Sequence, residues 1–236
     1  MSDEYDLVAP RSKRLKTDDT SNDRRVLYVV LEHCSLESAK IGKDYVLLSS
    51  DKHATFLRKM KRDPADYRPD IVHQCLLNLL DSPLNRAGKL QVFMHTAQNV
   101  LIELSFPPLM KYSNFCSEGV MLTFRFSVQL LHKLSLRAAD TSQKLLNVIK
   151  NPVSNHLPVG CRKLLMSFSA AELTMPNKLV TKEANEPIVV VIGGIAKGKI
   201  QTDYTEGDLK ISNYPLSAAL TCAKITSGLE ELWDII

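Results

Sequence analysis

Three groups of residues in this chain have the types and spacing to do chemistry. The first is a glycine-rich stretch, Gly193–Lys199 (GGIAKGK), which follows the unbroken β-branched run Ile188–Ile192. Backbone without a Cβ approaches a ligand closely and takes positive φ. A strand buried on both faces that opens into glycines is a typical ligand-binding edge of an α/β sheet. The second is Ile211–Leu216 (ISNYPL), a proline-held turn ahead of a helix that Ser217 is positioned to cap. Two such loops beside one buried strand make a better pocket than either alone, although spacing by itself does not name the ligand. The third is Arg68-Pro69-Asp70, at the start of an amphipathic helix. Asp70 reads as its N-cap, and one carboxylate there can accept from backbone N–H and from a guanidinium together.

Other chemistries are excluded by single residues. Gly193–Lys199 satisfies the G-x-x-x-x-G-K of a phosphate-binding loop, but the next position must carry a hydroxyl for magnesium, and it is Ile200. The five cysteines (Cys34, Cys75, Cys116, Cys161, Cys222) are too scattered for a zinc site or a redox pair, so no metal is expected, and their odd number fits a reducing compartment. With 44% apolar and 24% charged residues in 236, the chain can form one sizeable core. Its apolar runs fall far short of the ~18 residues that cross a bilayer, so a soluble, intracellular protein with no membrane partner is expected.

The elements that must position these groups follow from periodicity. Residues 1–23 read as a disordered charged tail in which Arg11, Lys13, Arg14 and Lys16 form either a nuclear address, an extra phosphate contact or a solvated run. Residues 24–236 read as one domain. Strands are predicted at Arg25–Glu32, Tyr45–Ser49, Leu145–Ile149, Lys163–Phe168 and Ile188–Ile192, with a hairpin from Leu90–Met94 and Val100–Leu104 across the turn His95–Asn99. Helices are predicted at Ile71–Leu80, at Val128–Leu136 (with His132 as a core or surface residue) and from Ser217 to Trp233, and Lys52–Lys61 reads as a strongly basic segment. Ser35–Lys40 reads as a helical or loop connection. Asp81–Gly88 is dense in turn formers, with Asp81 structural, and Thr174–Glu186 reads as a variable surface loop. Lys52, His53, Arg58, Lys59, Lys61 and Arg62 would give one helix a cationic face, suited to phosphates or simply solvated.

With those residues in view, the chain resembles the SPOUT class of methyltransferases. Within it the similarity is to the pseudouridine N1-methyltransferases of small-subunit ribosomal RNA, which are also ribosome-assembly factors. The resemblance rests on Ala65–Leu77, Leu80–Val92, Val128–Ala138, Lys144–Cys161, Gly193–Lys199 and Ile211–Ile225. It implies an α/β fold with a C-terminal trefoil knot and a family-specific β-hairpin extension. It implies S-adenosylmethionine as cofactor, held by Gly193, Gly198, Ile211, Ser212, Asn213, Tyr214, Pro215 and Leu216. Met166 stands where the family places a cofactor-touching residue, typically a threonine, so that contact would be made by backbone atoms. Arg68 is implied to contact the RNA, with Asp70 holding it. The nucleophile would be N1 of a pseudouridine, whose proton must leave to a base, and Asp70 is the nearest carboxylate the motifs provide. The implied partners are small-subunit rRNA, the pre-ribosomal small-subunit assembly and a second copy in a homodimer, with the helix ending at Trp233 as an interface element. The implied location is nucleus and nucleolus.

One block departs from the family pattern. Where relatives carry an arginine-rich RNA-gripping segment, this chain has a longer Ser105–Ser127 segment whose only cations are Lys111 and Arg125. Arg125, in Thr123–Phe126, stands in for one lost arginine. Each missing charge-assisted contact would cost ~1.5–3 kcal/mol. The alternative reading that follows is an RNA-binding assembly factor whose methyl transfer is dispensable or lost. The intact cofactor loops favour the enzyme.

Overall fold

The computed structural model describes residues 23–105, 135–137 and 144–236. The charged tail, most of the divergent block with Arg125, and His132 lie outside the described residues.

The strands are β1 (Leu27–Cys34), β2 (Ser38–Ile41), β3 (Asp44–Leu47), β4 (Leu90–Thr96), β5 (Leu101–Leu104), β6 (Ser135–Arg137), β7 (Lys144–Ile149), β8 (Arg162–Met166), β9 (Ile188–Gly193) and β10 (Gly207–Leu209). The helices are α1 (Ser50–Lys59), α2 (Pro69–Leu80), α3 (Pro83–Arg86) and α4 (Ala218–Trp233). An eight-stranded sheet runs β10-β8-β9-β1-β4-β5-β7-β6, and β2 and β3 form a separate antiparallel ribbon. From β10 to β4 every pairing is parallel, whereas β4–β5, β5–β7 and β6–β7 are antiparallel. The sheet is therefore a parallel half that can carry a site at its carboxyl edge, joined to an antiparallel wing.

Alternation along β9 explains its β-branched run. Ile188, Val190 and Ile192 join the larger core with α2 and α4, while Val189 and Val191 join a second cluster with Val30, Phe93, Val153 and Leu165. Flanked by β1 and β8 and covered on both faces, β9 has no polar side to present. On the helical face, α2 contributes Val72, Cys75, Leu76, Leu79 and Leu80, and α4 contributes Cys222, Ile225, Leu229 and Trp233. These are the helical spacings of the sequence. The four described cysteines are free and buried.

Several expectations need correction. Part of Ser35–Lys40 is extended, because Ser38–Ile41 pairs with Asp44–Leu47 across the turn at Gly42. The end of the predicted Val128–Leu136 helix is strand instead: Ser135 and Leu136 pair with Asn147 and Leu146 of β7. Thr174–Glu186 is more than a surface loop. It buries Leu179 and places Pro176 so close to α4 that a Cβ on Gly228 would lie 2.4 Å from the Pro176 Cβ. Asp70 is not the N-cap of α2; that position is Arg68, with Pro69 and Asp70 in the first turn. Pro69 supplies its fixed φ where no N–H is needed, which displaces the cap by two residues from the carboxylate.

Candidate active site

Because β8, β9 and β10 are parallel, the loops that leave them emerge at one edge. They enclose a cavity of about 730 Å³ with the N-termini of α2 and α4. Met166 enters from the end of β8, Gly193 from the end of β9, Gly198 from the loop after it, and Ile211, Ser212, Tyr214 and Leu216 from the loop after β10. Arg68 and Asp70 line the same space. The structure thus brings together residues more than 140 positions apart in the chain. Asn213 and Pro215 are in the same loop but are exposed and do not line the cavity.

The loop after β9 is shaped by its glycines. Gly194 donates its N–H to the Glu32 carbonyl at 2.7 Å. A Cβ there would come within 3.1 Å of the Cys34 sulfur and 3.2 Å of the Glu32 carbonyl oxygen. Gly198 sits at φ +94°, a conformation that side chains resist. Ile200 folds back over Gly193 and joins the second apolar cluster. No helix follows the glycines, so the resemblance to a phosphate-binding loop ends in the chain path as well as at Ile200.

The loop after β10 is held by short-range hydrogen bonds. The Ser212 hydroxyl accepts the Tyr214 N–H at 3.0 Å, and Ser217 caps α4 by accepting the Leu220 N–H at 3.2 Å. Ala218 and Ala219, small residues in the first turn of α4, leave room at the cavity wall. On the other side, the Arg68 N–H donates to the Ser35 hydroxyl at 3.1 Å and fixes the entry to α2. The Arg68 guanidinium donates to both oxygens of Asp70, Nε to Oδ1 at 2.8 Å and Nη2 to Oδ2 at 2.7 Å. Hydrogen bonding from Arg68 holds the Asp70 carboxyl below its ordinary pKa, against the opposing effect of burial. The pair is part-exposed, at 40% and 45% of the side-chain surface, so it faces the cavity mouth rather than the core.

Sequence reasoning missed part of the lining. Ser167, Phe168 and Ser169 follow β8 directly into the site, and Gln74 reaches it from the next turn of α2. The signal for the first group was the polar Ser-Phe-Ser after the apolar run of β8, which lies beside β9. Gln74 carried no comparable signal, because an exposed polar position on an amphipathic helix is ordinary. Among the described residues no three metal-ligating side chains cluster.

Known proteins resemble this chain over most of its length. Residues 29–230 match the EMG1/NEP1 methyltransferase family. The chain is 66% identical to the ribosomal RNA small subunit methyltransferase nep-1 of Caenorhabditis elegans, with both chains covered in full. It is 52% identical to the ribosomal RNA small subunit methyltransferase NEP1 of Homo sapiens, covering 99% of this chain and 92% of the relative. Its fold is similar to that of Archaeoglobus fulgidus Nep1 bound to S-adenosylhomocysteine, with a TM-score of 0.68 at 20% identity over 88% of this chain and 98% of the other.

Proposed function

The chain belongs to the EMG1/NEP1 methyltransferase family, and from that premise we propose that it transfers a methyl group from S-adenosylmethionine to N1 of a pseudouridine in small-subunit rRNA. The observation that carries this reading is the convergence, in one cavity, of the two glycine- and proline-shaped loops with the Arg68–Asp70 pair. On this reading a donor site and a cation for RNA are adjacent. The lining combines aliphatic Met166, Ile192, Ile195, Ile211 and Leu216 with Ser212, Ser217 and exposed backbone, a mixture that suits a nucleoside joined to an amino acid. When bound, S-adenosylmethionine supplies a methyl group already activated on sulfonium.

The protein's own task is then alignment and exclusion of water. Gly193 and Gly198 let backbone close on the donor, and the Ser212–Tyr214 and Ser217–Leu220 bonds keep the opposite wall in shape. Arg68, aimed at the cavity mouth, meets the RNA backbone. Asp70 acts by holding Arg68: both its oxygens are engaged and its basicity is reduced, which works against proton abstraction from N1. The target base would have to leave its stack to reach the cavity.

The wider reading is assembly of the small ribosomal subunit in the nucleolus of the nucleus, with the protein working as a homodimer. Apolar side chains next to the cavity support the dimer: Tyr214 is 77% exposed, and Phe168 and Leu220 are also open. The exposed face of α4 near Leu220 would serve that contact, because Trp233 at its other end is buried in the core.

The test is transfer of labelled methyl from S-adenosylmethionine to two rRNA-like hairpins that differ only in one loop base, pseudouridine or uridine. Transfer to the pseudouridine hairpin alone is the expected result. Cofactor binding without transfer to either would favour the assembly-factor reading.

A further inference from the structure

The loop from β9 to β10 lines the cavity with Ile195, Ala196, Gly198, Lys199 and Ile200, and on both sides of that stretch it is fastened to one residue, Glu32, near the end of β1. At the near end the Gly194 N–H donates to the Glu32 carbonyl. At the far end the Tyr204 hydroxyl donates to Glu32 Oε1. The Glu32 side chain is only 4% exposed, and its other oxygen lies 2.7 Å from His95 Nδ1. His95 Nε2 is in turn 2.9 Å from Asn99 Oδ1, to which Asn151 Nδ2 also donates at 2.9 Å. Burial and the neighbouring Glu32 carboxylate push the Tyr204 phenol far above its ordinary pKa, so it keeps its proton and donates.

These residues border a second cavity of about 740 Å³, which Gln201, Thr202 and Asp203 of the same loop also line. Hydrogen bonds link its Glu32, His95, Asn99, Asn151 and Tyr204 side chains into one chain, which gives this side of the loop the character of a latch.

We propose that Glu32 and Tyr204 are positioning residues for the methyl-donor site, closing the 194–204 loop at both ends so that Ile195–Ile200 keeps its cavity-lining shape before the donor arrives. Neither side chain touches the donor; the effect works through the loop. A loop tied at both ends has less freedom to lose on binding, and that saving appears as affinity. The buried carboxylate makes a strong anchor, because a charge-assisted bond outweighs a neutral one and Glu32 has little water to turn to. This inference rests on reading the cavity as the S-adenosylmethionine site.

The experiment uses the full chain and Tyr204→Phe, which removes one hydroxyl. Calorimetry with S-adenosylmethionine should give a Kd roughly ten-fold weaker (about 1.4 kcal/mol). Hydrogen exchange across 195–204 in the cofactor-free protein should become faster, while the affinity for the RNA hairpin stays unchanged. Glu32→Gln, whose amide oxygen still accepts from Tyr204, should bind the donor better than Glu32→Ala. If Glu32→Ala does not fold, Tyr204→Phe decides alone. A Tyr204→Phe Kd within about two-fold of the unaltered protein, with unchanged exchange, overturns the proposal. Should the unaltered protein fail to bind S-adenosylmethionine, the donor-site reading falls instead, and the exchange measurement still decides whether the loop is clamped.

Discussion

The Arg68 guanidinium grips Asp70 through two parallel hydrogen bonds of 2.8 and 2.7 Å, beside the cavity that the loops after β8, β9 and β10 enclose. The planar fork is thereby fixed in direction, which a flexible cation would not be. Asp70→Asn keeps the shape but loses the charge, and it leaves Arg68 free to swing. The expected outcome is a roughly five- to ten-fold loss in RNA-hairpin affinity with donor affinity unchanged. Fluorescence anisotropy on the hairpin and calorimetry on the donor check both halves. Loss of turnover with RNA affinity intact would instead mark Asp70 as the base.

Gly198 holds φ +94° in the loop that lines the site, with open space beyond a Cβ except for Ile195 at 4.0 Å. Gly198→Ala is therefore a conformational change and not a steric one. Holding alanine in that region costs roughly 1–3 kcal/mol, confined to the loop. The loop relieves that strain by leaving its cavity-lining shape, so donor affinity should fall by roughly ten-fold or more while the melting temperature drops by no more than about 4 °C. Equal losses in both would show that the loop is part of the cooperative core.

How far all this was legible in the sequence differs by element. Strand β9 was readable because five buried β-branched residues have only one environment in which all are satisfied. Helix α2 was readable from its periodicity, and the two cavity-lining loops from their glycines and prolines. The separation of cap and carboxylate at Arg68 and Asp70 was not, since aspartate is a favoured capping residue and arginine is not, while the proline between them moves the helix start. Glu32 looked like an unremarkable strand end; its role depends on Tyr204, 172 positions away, and on His95 of β4. Such a cluster leaves no local pattern. Ser38–Ile41 was misread for a related reason: a short, half-exposed ribbon carries too few buried residues to show a period of two.

Gly228 of α4 is pressed against the turn at Pro176, where a Cβ would sit 2.4 Å from the Pro176 Cβ and 2.8 Å from its carbonyl carbon. Backbone cannot yield as a side-chain tip can. Gly228→Ala improves helix propensity by up to ~1 kcal/mol, but overpacking costs ~1–3 kcal/mol. The net effect should be destabilising, with a melting temperature lower by roughly 2–8 °C for a domain of this size. Thermal unfolding followed by circular dichroism reads this, and a rise would mean that the Pro176 turn can move aside.

His53 supplies a pH dependence with a definite sign. Its ring Nδ1 accepts the Ser49 backbone N–H at 3.1 Å and its backbone N–H donates to the Ser49 carbonyl at 3.0 Å, so the ring bond at the start of α1 needs a neutral imidazole. Burial, helped by Lys52, lowers its pKa, and burial lowers that of His73 as well. A group whose folded pKa is depressed binds a proton more readily in the unfolded chain. The associated stability is therefore complete above the ordinary histidine value and is lost as pH falls through the folded one. Urea unfolding between about pH 7.5 and pH 5 should show stability declining with acidity. His53→Gln, which cannot become charged, should flatten that decline in part, leaving the share due to His73. A decline of unaltered steepness in the variant would remove His53 from the account.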